Sequence, residues 1–308
     1  MLRILLLTAV TLLFARMPLA HLFDVAGIPG RSHAAPGERE LKALAAVWPD
    51  SITEVGFRGG DWALRLGGKW IAWANGRLLP VEDAGRWKEY AAIPFYSYPL
   101  SLPRLPELDV QAAAELRKLV AADLRNPPRR SEAFFGSLLD AGNRAATEAD
   151  LVKMEVAGFT VTVHDRLAGP LARVSDELKA LRRKDPAVAS FLRELSEMNG
   201  YNYRFVEGTR SRSLHSYGLA VDMIPKSYRG LQPYWLWAMN KVPDFWTIPY
   251  DRRWMPPLAV IEAFERQGFI WGGKWLFFDT MHFEYRPDLL LMARAEPVAA
   301  AVAGLPES

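Results

Sequence analysis

The chain has 308 residues, of which 50% are hydrophobic and 24% charged, a balance that excludes disorder over most of its length. Its 22 Gly and 22 Pro, spread throughout, exclude a coiled coil, and a net charge of +3 is too weak a field to argue for nucleic acid. There is no cysteine, which removes disulfides, thiolate metal sites and thiol catalysis; any metal site must draw on Asp, Glu or the five His.

Met1-Leu2-Arg3 is a short positive start, and Ile4 to Ala15 carries no charge. That run suits the apolar region of a secretory signal and is too short to span a bilayer. Ala20 and Ala34 are the candidate cleavage positions, although Arg16 interrupts early. Residues 1–35 are therefore expected to direct export to the periplasm or cell envelope. An uncleaved anchor with N-terminal membrane association and a buried helix are the alternatives. His21 and His33 fall in this segment and are discounted as ligands.

Glu38 to Trp48 reads as a short amphipathic helix. A β-meander is expected next: Trp62, Leu64 and Leu66 alternate, Gly67-Gly68 turns the chain, Trp70 to Trp73 returns, and Asn75-Gly76 turns again. From Pro80 to Leu108 the chain is rich in Pro and aromatics and reads as an irregular packed segment or linker. A helix is predicted over Val110 to Leu124. The run Arg125-Asn126-Pro127-Pro128-Arg129-Arg130 then breaks the chain. This predicts an accessory domain over 36–130, a second domain over 131–295 and a tail over 296–308.

In the second half, Phe159 to Val163 alternates as a strand leading into His164. Leu171, Val174, Leu178 and Leu181 lie on one helix face. Asp185-Pro186 is an N-cap with Pro at the first helical position. Val188, Phe191, Leu192 and Leu195 follow as the buried stripe, and Asn199-Gly200 is expected to stop that helix. Tyr201 to Val206 is strand-like. Pro256-Pro257 opens another helix, with Leu258, Ile261 and Phe264 inward and Gly268 as its end. Short strands are expected over Phe269–Trp271, Leu276–Phe278 and His282–Tyr285. Without strict βαβ alternation, the fold class is α+β: a small antiparallel sheet with flanking helices, preceded by a small mixed domain with a β-meander.

Two stretches carry chemistry: Ser213-Leu-His215-Ser-Tyr-Gly218-Leu-Ala220-Val-Asp222 and Asp279-Thr-Met-His282-Phe-Glu284. Two imidazoles and a carboxylate suffice for catalytic zinc, which uses three protein ligands and keeps a fourth position open. Gly218 lets the chain turn between His215 and Asp222, and the small Ala220 leaves room at the strand. Strand alternation puts Glu284 on the side of His282, as base, supporting partner or simple ion pair. Asp279, three residues before His282, reaches the same place only if the chain bends at Thr280-Met281. His164 is expected to be structural. The aromatic insert from Ser227 to Trp254, with Trp235, Trp237 and Trp246, is expected to be mostly core.

The pattern Ser-x-His-x-x-Gly-x-Ala-x-Asp followed by Asp-x-x-His resembles the zinc peptidases that cut peptidoglycan peptides. These are VanY-like D-alanyl-D-alanine carboxypeptidases and L-alanyl-D-glutamate endopeptidases, which share their zinc core with the hedgehog domain. The approach Gly268-Phe-Ile-Trp271-Gly-Gly-Lys-Trp275 is most like the endopeptidase branch. The resemblance covers 208–224 and 268–287, more loosely from about 150 onward. It implies His215, Asp222 and His282 as zinc ligands and Asp279 as catalytic base. It also implies Arg210, with Arg212 as rival, on the substrate and its oxyanion, and Ser213 and Trp271 on the substrate side. The expected function is hydrolysis of the peptidoglycan stem peptide by an L-alanyl-D-glutamate-type endopeptidase, with a D-alanyl-D-alanine carboxypeptidase as the rival among enzymes. A non-catalytic zinc-stabilised wall-peptide binder is the rival, against which Asp279 argues.

Overall fold

Ala220–Pro225 mixes small, apolar and acidic residues, and the sheet that carries the two His-bearing motifs is built around it. The computed structural model describes residues 37–303 apart from 94, 96, 97, 128 and 208. The expected signal segment, with His21 and His33, and the last residues of the tail lie outside the described residues.

A helix α1 (Glu38–Val47) opens the described chain and packs before a meander of β1 (Ile52–Arg58), β2 (Asp61–Leu66), β3 (Lys69–Ala72) and β4 (Leu79–Pro80). These form one antiparallel sheet in chain order. β1 had no sequence expectation; it pairs along β2, with Phe57 directly opposite Trp62. Helix α2 (Val110–Arg125) follows, capped by Asp109, and then the short helices α3 (Ala133–Leu138) and α4 (Arg144–Ala149). A hairpin of β5 (Leu151–Val156) and β6 (Phe159–His164) leads to α5 (Ala168–Lys184) and α6 (Pro186–Glu194). The site-bearing sheet has the order β7 (Leu195–Asn199), β8 (Ala220–Pro225), β10 (His282–Tyr285) and β9 (Phe269–Trp271), antiparallel throughout. Between β8 and β9 lie α7 (Trp235–Met239) and α8 (Leu258–Arg266), and α9 (Pro287–Ala303) follows β10. The α+β class is thus observed.

Four local expectations are corrected. The α6 helix stops at Glu194, not at Asn199-Gly200. Leu195 turns extended, and β7 pairs with β8 through Met198↔Met223 and Asn199↔Asp222, so a long-range ladder replaces the last helical turn. Residues 201–206 make no strand beyond the bridge Phe205↔Arg212. Their backbone is spent on the neighbouring turn: Asn202 N–H donates to His215 O, and Arg204 N–H to Ser216 Oγ. Leu258, expected inward, is half exposed, and Val260, Ile261, Ala263 and Phe264 form the buried face of α8. Leu276–Phe278 is bent rather than a strand, because it must swing Asp279 back toward Gly272.

One apolar cluster includes Leu41, Leu64 and Ile71 together with Val163, Val221, Phe264 and Phe283, so residues on both sides of the 125–130 break share a core. A second cluster joins Ala113, Leu116 and Val120 of α2 to Ala238, Phe245, Trp246 and Phe278. The insert therefore packs its own aromatic core under α2, clamped by the Arg117–Asp244 pair at 2.6 and 2.7 Å. Trp246 and Trp254 are buried; Trp237 is exposed.

Asp185 accepts from the backbone N–H groups of Ala187 (2.8 Å) and Val188 (3.4 Å) at the start of α6. Asp185→Ala leaves those donors unpaired. It is expected to lower unfolding free energy by about 1 kcal/mol in a denaturant titration, with the slope unchanged.

Candidate metal centre

His215 sits in a single 3₁₀ turn, Leu214–Tyr217, whose N-cap is Ser213: the Ser213 hydroxyl accepts from His215 N–H at 3.3 Å. Gly218 ends the turn in the left-handed region, φ +66°. A Cβ there would lie 2.5 Å from the backbone N of His164, so glycine is required on two counts. The next residues enter β8, and Asp222 lies directly opposite His282 on β10. Period-2 alternation sends Val221 and Phe283 into the core, where Phe283 stacks on Phe264, and turns Asp222, His282 and Glu284 to the other face. Ala220 is the cross-strand partner of Glu284. Its small side chain makes room for that carboxylate rather than for a metal.

The three side chains converge. His215 Nε2 lies 3.2 Å from His282 Nδ1, and Asp222 Oδ1 lies 3.1 and 2.9 Å from those two nitrogens. His215 Nδ1 is hydrogen-bonded to Gly200 O at 2.6 Å, and His282 Nε2 to Glu284 Oε2 at 3.2 Å. Both outer partners are pure acceptors, so each outer nitrogen carries the proton when the ring is neutral. The inner nitrogens then present lone pairs to each other and to a carboxylate oxygen. With both rings neutral, three acceptors face one point, an arrangement that a cation between them stabilises, be it a metal ion or a proton on His282. Donors about 2.0–2.1 Å from zinc stand roughly 3.3 Å apart in a tetrahedron, within a few tenths of the spacings here. The residues present fit the metal.

The electrostatics express the same demand. Burial opposes charge on Asp222, but the charges and hydrogen bonds of His215 and His282 outweigh it and hold the carboxyl far below its usual range. Burial alone would depress His282; hydrogen bonds to Asp222 and Glu284 instead raise it to about 10. Glu284 is buried, yet His282, Arg286 and Arg130 keep it ionised below its ordinary value. Glu284 thus contacts the outer nitrogen of His282, on the side away from the cluster, as a supporting partner.

The required bend at Thr280-Met281 is present: His282 N–H donates back to Asp279 O at 3.3 Å across a turn. Asp279 N–H donates to Gly272 O at 3.1 Å, and residues 278–280 are bonded on their other side to Pro233 and Trp235. Asp279 is partly buried, and its buried Oδ1 has no hydrogen-bond partner among the described residues. Burial, then repulsion from Asp222, pushes it up to about 7.

The guanidinium that reaches the cluster is that of Arg204, with Nη2 3.9 Å from Asp222 Oδ2 and the side chain partly exposed. Arg210 is exposed. Arg212 is buried between the rings of Tyr203 (4.6 Å) and Tyr217 (4.2 Å) and donates to Ser216 O and Ala141 O, which makes it a structural residue. The expected substrate contacts Ser213 and Trp271 are buried and otherwise engaged. Ser213 caps the His215 turn, and the Trp271 indole donates to Thr280 O at 2.9 Å. Sequence reasoning missed Arg204; its only signal is that it is the single charge in Asn199–Val206. His164 is buried, lies 2.7 Å from Asp165 through its Nδ1 and sits under the Gly218 turn.

A family model described as D-alanyl-D-alanine carboxypeptidase matches residues 207–285, the span that contains all three converging residues. The match supports a peptidase of the peptidoglycan-cutting zinc family. A model of a domain of unknown function matches residues 40–95. No curated protein and no solved structure matches the chain.

Metal analysis of the protein is expected to find one zinc per chain, reduced several-fold in His215→Ala and in His282→Ala. Glu284→Gln keeps the shape but weakens the hold on the outer His282 nitrogen, so zinc affinity by chelator competition is expected to fall about 10–100-fold.

Proposed function

We propose that this chain is a zinc metallopeptidase that hydrolyses peptide bonds of the peptidoglycan stem peptide after export to the cell envelope. The observation that carries the reading is the convergence of His215 Nε2, Asp222 Oδ1 and His282 Nδ1, with Asp279, whose Oδ1 has no hydrogen-bond partner, held by the turn that leads into His282. Zinc, when bound by these three residues, supplies a Lewis acid that makes water acidic and polarises a carbonyl. Asp279, partly buried and poised near neutrality, takes the proton from the attacking water and returns it to the leaving amine. Arg204 faces the same space from the exposed side and is suited to hold the substrate carbonyl as negative charge develops.

The endopeptidase reading, cleavage between L-alanine and D-glutamate, rests on the Gly268–Trp275 approach. The matched family description favours D-alanyl-D-alanine carboxypeptidase activity as the second reading, in which Arg204 would meet the terminal carboxylate. Digestion of purified peptidoglycan with mass analysis of the fragments decides between them. Release of free D-alanine marks the carboxypeptidase, and loss of the stem at L-alanine marks the endopeptidase. No fragment at all, from zinc-loaded protein, would leave a wall-peptide binder.

Three outcomes are expected. Asp279→Asn retains zinc while kcat falls about 10²–10⁴-fold. Arg204→Ala retains zinc and loses at least tenfold in kcat/KM, whereas Arg210→Ala stays within about twofold. A reporter fused after Ala35 appears outside the cytoplasm; a cytoplasmic reporter would count against export.

A further inference from the structure

The Asp279 turn is held from behind by a buried polar cluster that neither half of the chain forms alone. Lys274, in the 3₁₀ turn Gly272–Lys274, is buried, and its ammonium lies 2.7 Å from Glu265 Oε1 of α8. It also donates to Pro99 O (3.0 Å) and Leu100 O (3.1 Å) of the N-terminal half. Tyr98, almost fully buried, donates its hydroxyl hydrogen to the same Glu265 carboxylate and accepts from the Trp271 backbone N–H at 3.0 Å. Residues 98–100 thus bind both ends of the segment 271–274.

That segment touches Asp279 directly. Asp279 N–H donates to Gly272 O, and a Cβ on Gly272 would stand 2.6 Å from Asp279 O, so the two backbones are in close contact. The Trp271 indole holds Thr280 O. The same N-terminal half also backs the ligand strand, with Trp48 edge-on to Tyr285 and the Arg286 guanidinium over Phe95. A buried charge that loses a partner is costly, so this cluster has one low-energy arrangement.

We propose that residues 98–100 are a strap that positions Asp279, with Tyr98 and Lys274 as positioning residues, and that the segment 37–100 is an integral part of the site. This deepens the peptidase reading and rests on it for the role of Asp279. The strap lies just beyond residues 40–95, which match the domain of unknown function.

The test is Tyr98→Phe in the full chain, which keeps the ring and removes one hydroxyl. Zinc content and KM are expected to stay within about twofold of wild type while kcat falls about tenfold. Amide hydrogen exchange over residues 271–281 is expected to quicken several-fold, with the β5–β6 hairpin unchanged. Glu265→Gln, which weakens the partner of both Tyr98 and Lys274 without changing its size, is expected to give the same pattern. Wild-type exchange over 271–281 in both variants overturns the proposal. So does a uniform rise across the whole chain, which would make the cluster a general stability element. If wild-type protein cleaves no wall peptide, the peptidase reading falls, and the exchange pattern alone decides whether the strap holds this turn.

Discussion

The antiparallel register that sets Asp222 opposite His282 is the constraint on which the site depends. A shift by one residue would turn both side chains into the core and bring Val221 and Phe283 out. The register is secured from the apolar face, where Phe283 stacks on Phe264 and Val221 is fully buried. Burial of one face of this small sheet therefore determines the chemistry of the other. His215 joins from a turn rather than a strand, and the left-handed Gly218, pressed against the β6 backbone, sets how that turn meets β8.

The second constraint is charge. Asp222, Glu284 and Asp279 bring three carboxyls to a buried region with two imidazoles. The protein answers in two ways. Glu284 is matched by His282 and by the nearby Arg286 and Arg130, so its charge is neutralised within the fold. The Asp222 carboxylate faces the two inner imidazole nitrogens and, at 3.9 Å, the partly exposed Arg204, while Asp279 Oδ1 has no hydrogen-bond partner among the described residues. The contrast separates the acid whose charge is matched within the fold from those whose charge is matched less fully. A fully satisfied carboxylate orients a ligand, while an unsatisfied one retains capacity for a proton.

The chain's two halves meet at this site. The meander and α1 contribute apolar residues to the same cluster that buries β8 and β10, and Tyr98 to Leu100 reach the turn beside Asp279. The insert braces the opposite side, since residues 233–235 are bonded to 278–280 while the rest of the insert packs under α2. The Asp279 turn is thus gripped between two segments that are remote from it in sequence. A carboxyl carried on a bend needs such support to keep one position, because a turn by itself has little stiffness.

Much of this was legible in the residues. Helix limits marked by Asp185-Pro186, the Gly67-Gly68 turn and the hairpin-like return at Trp70 are local signals that backbone preference writes directly into sequence, whereas the grouping of His215 and Asp222 with the distant His282 came from the family resemblance. The requirement for a bend at Thr280-Met281 followed from strand alternation alone. What the tertiary structure decided was every choice among equivalent residues. Arg204, Arg210 and Arg212 are alike as side chains, and only packing buries Arg212 between two tyrosines and leaves Arg204 beside Asp222. Leu195 to Asn199 continues the periodicity of a helix, yet becomes a strand because β8 offers a ladder. Tyr98 carries no motif at all. Sequence specifies conformations over a few residues, where one backbone term dominates; the partners of a buried side chain are set by segments tens to hundreds of residues away, and their geometry exists only once the core has formed.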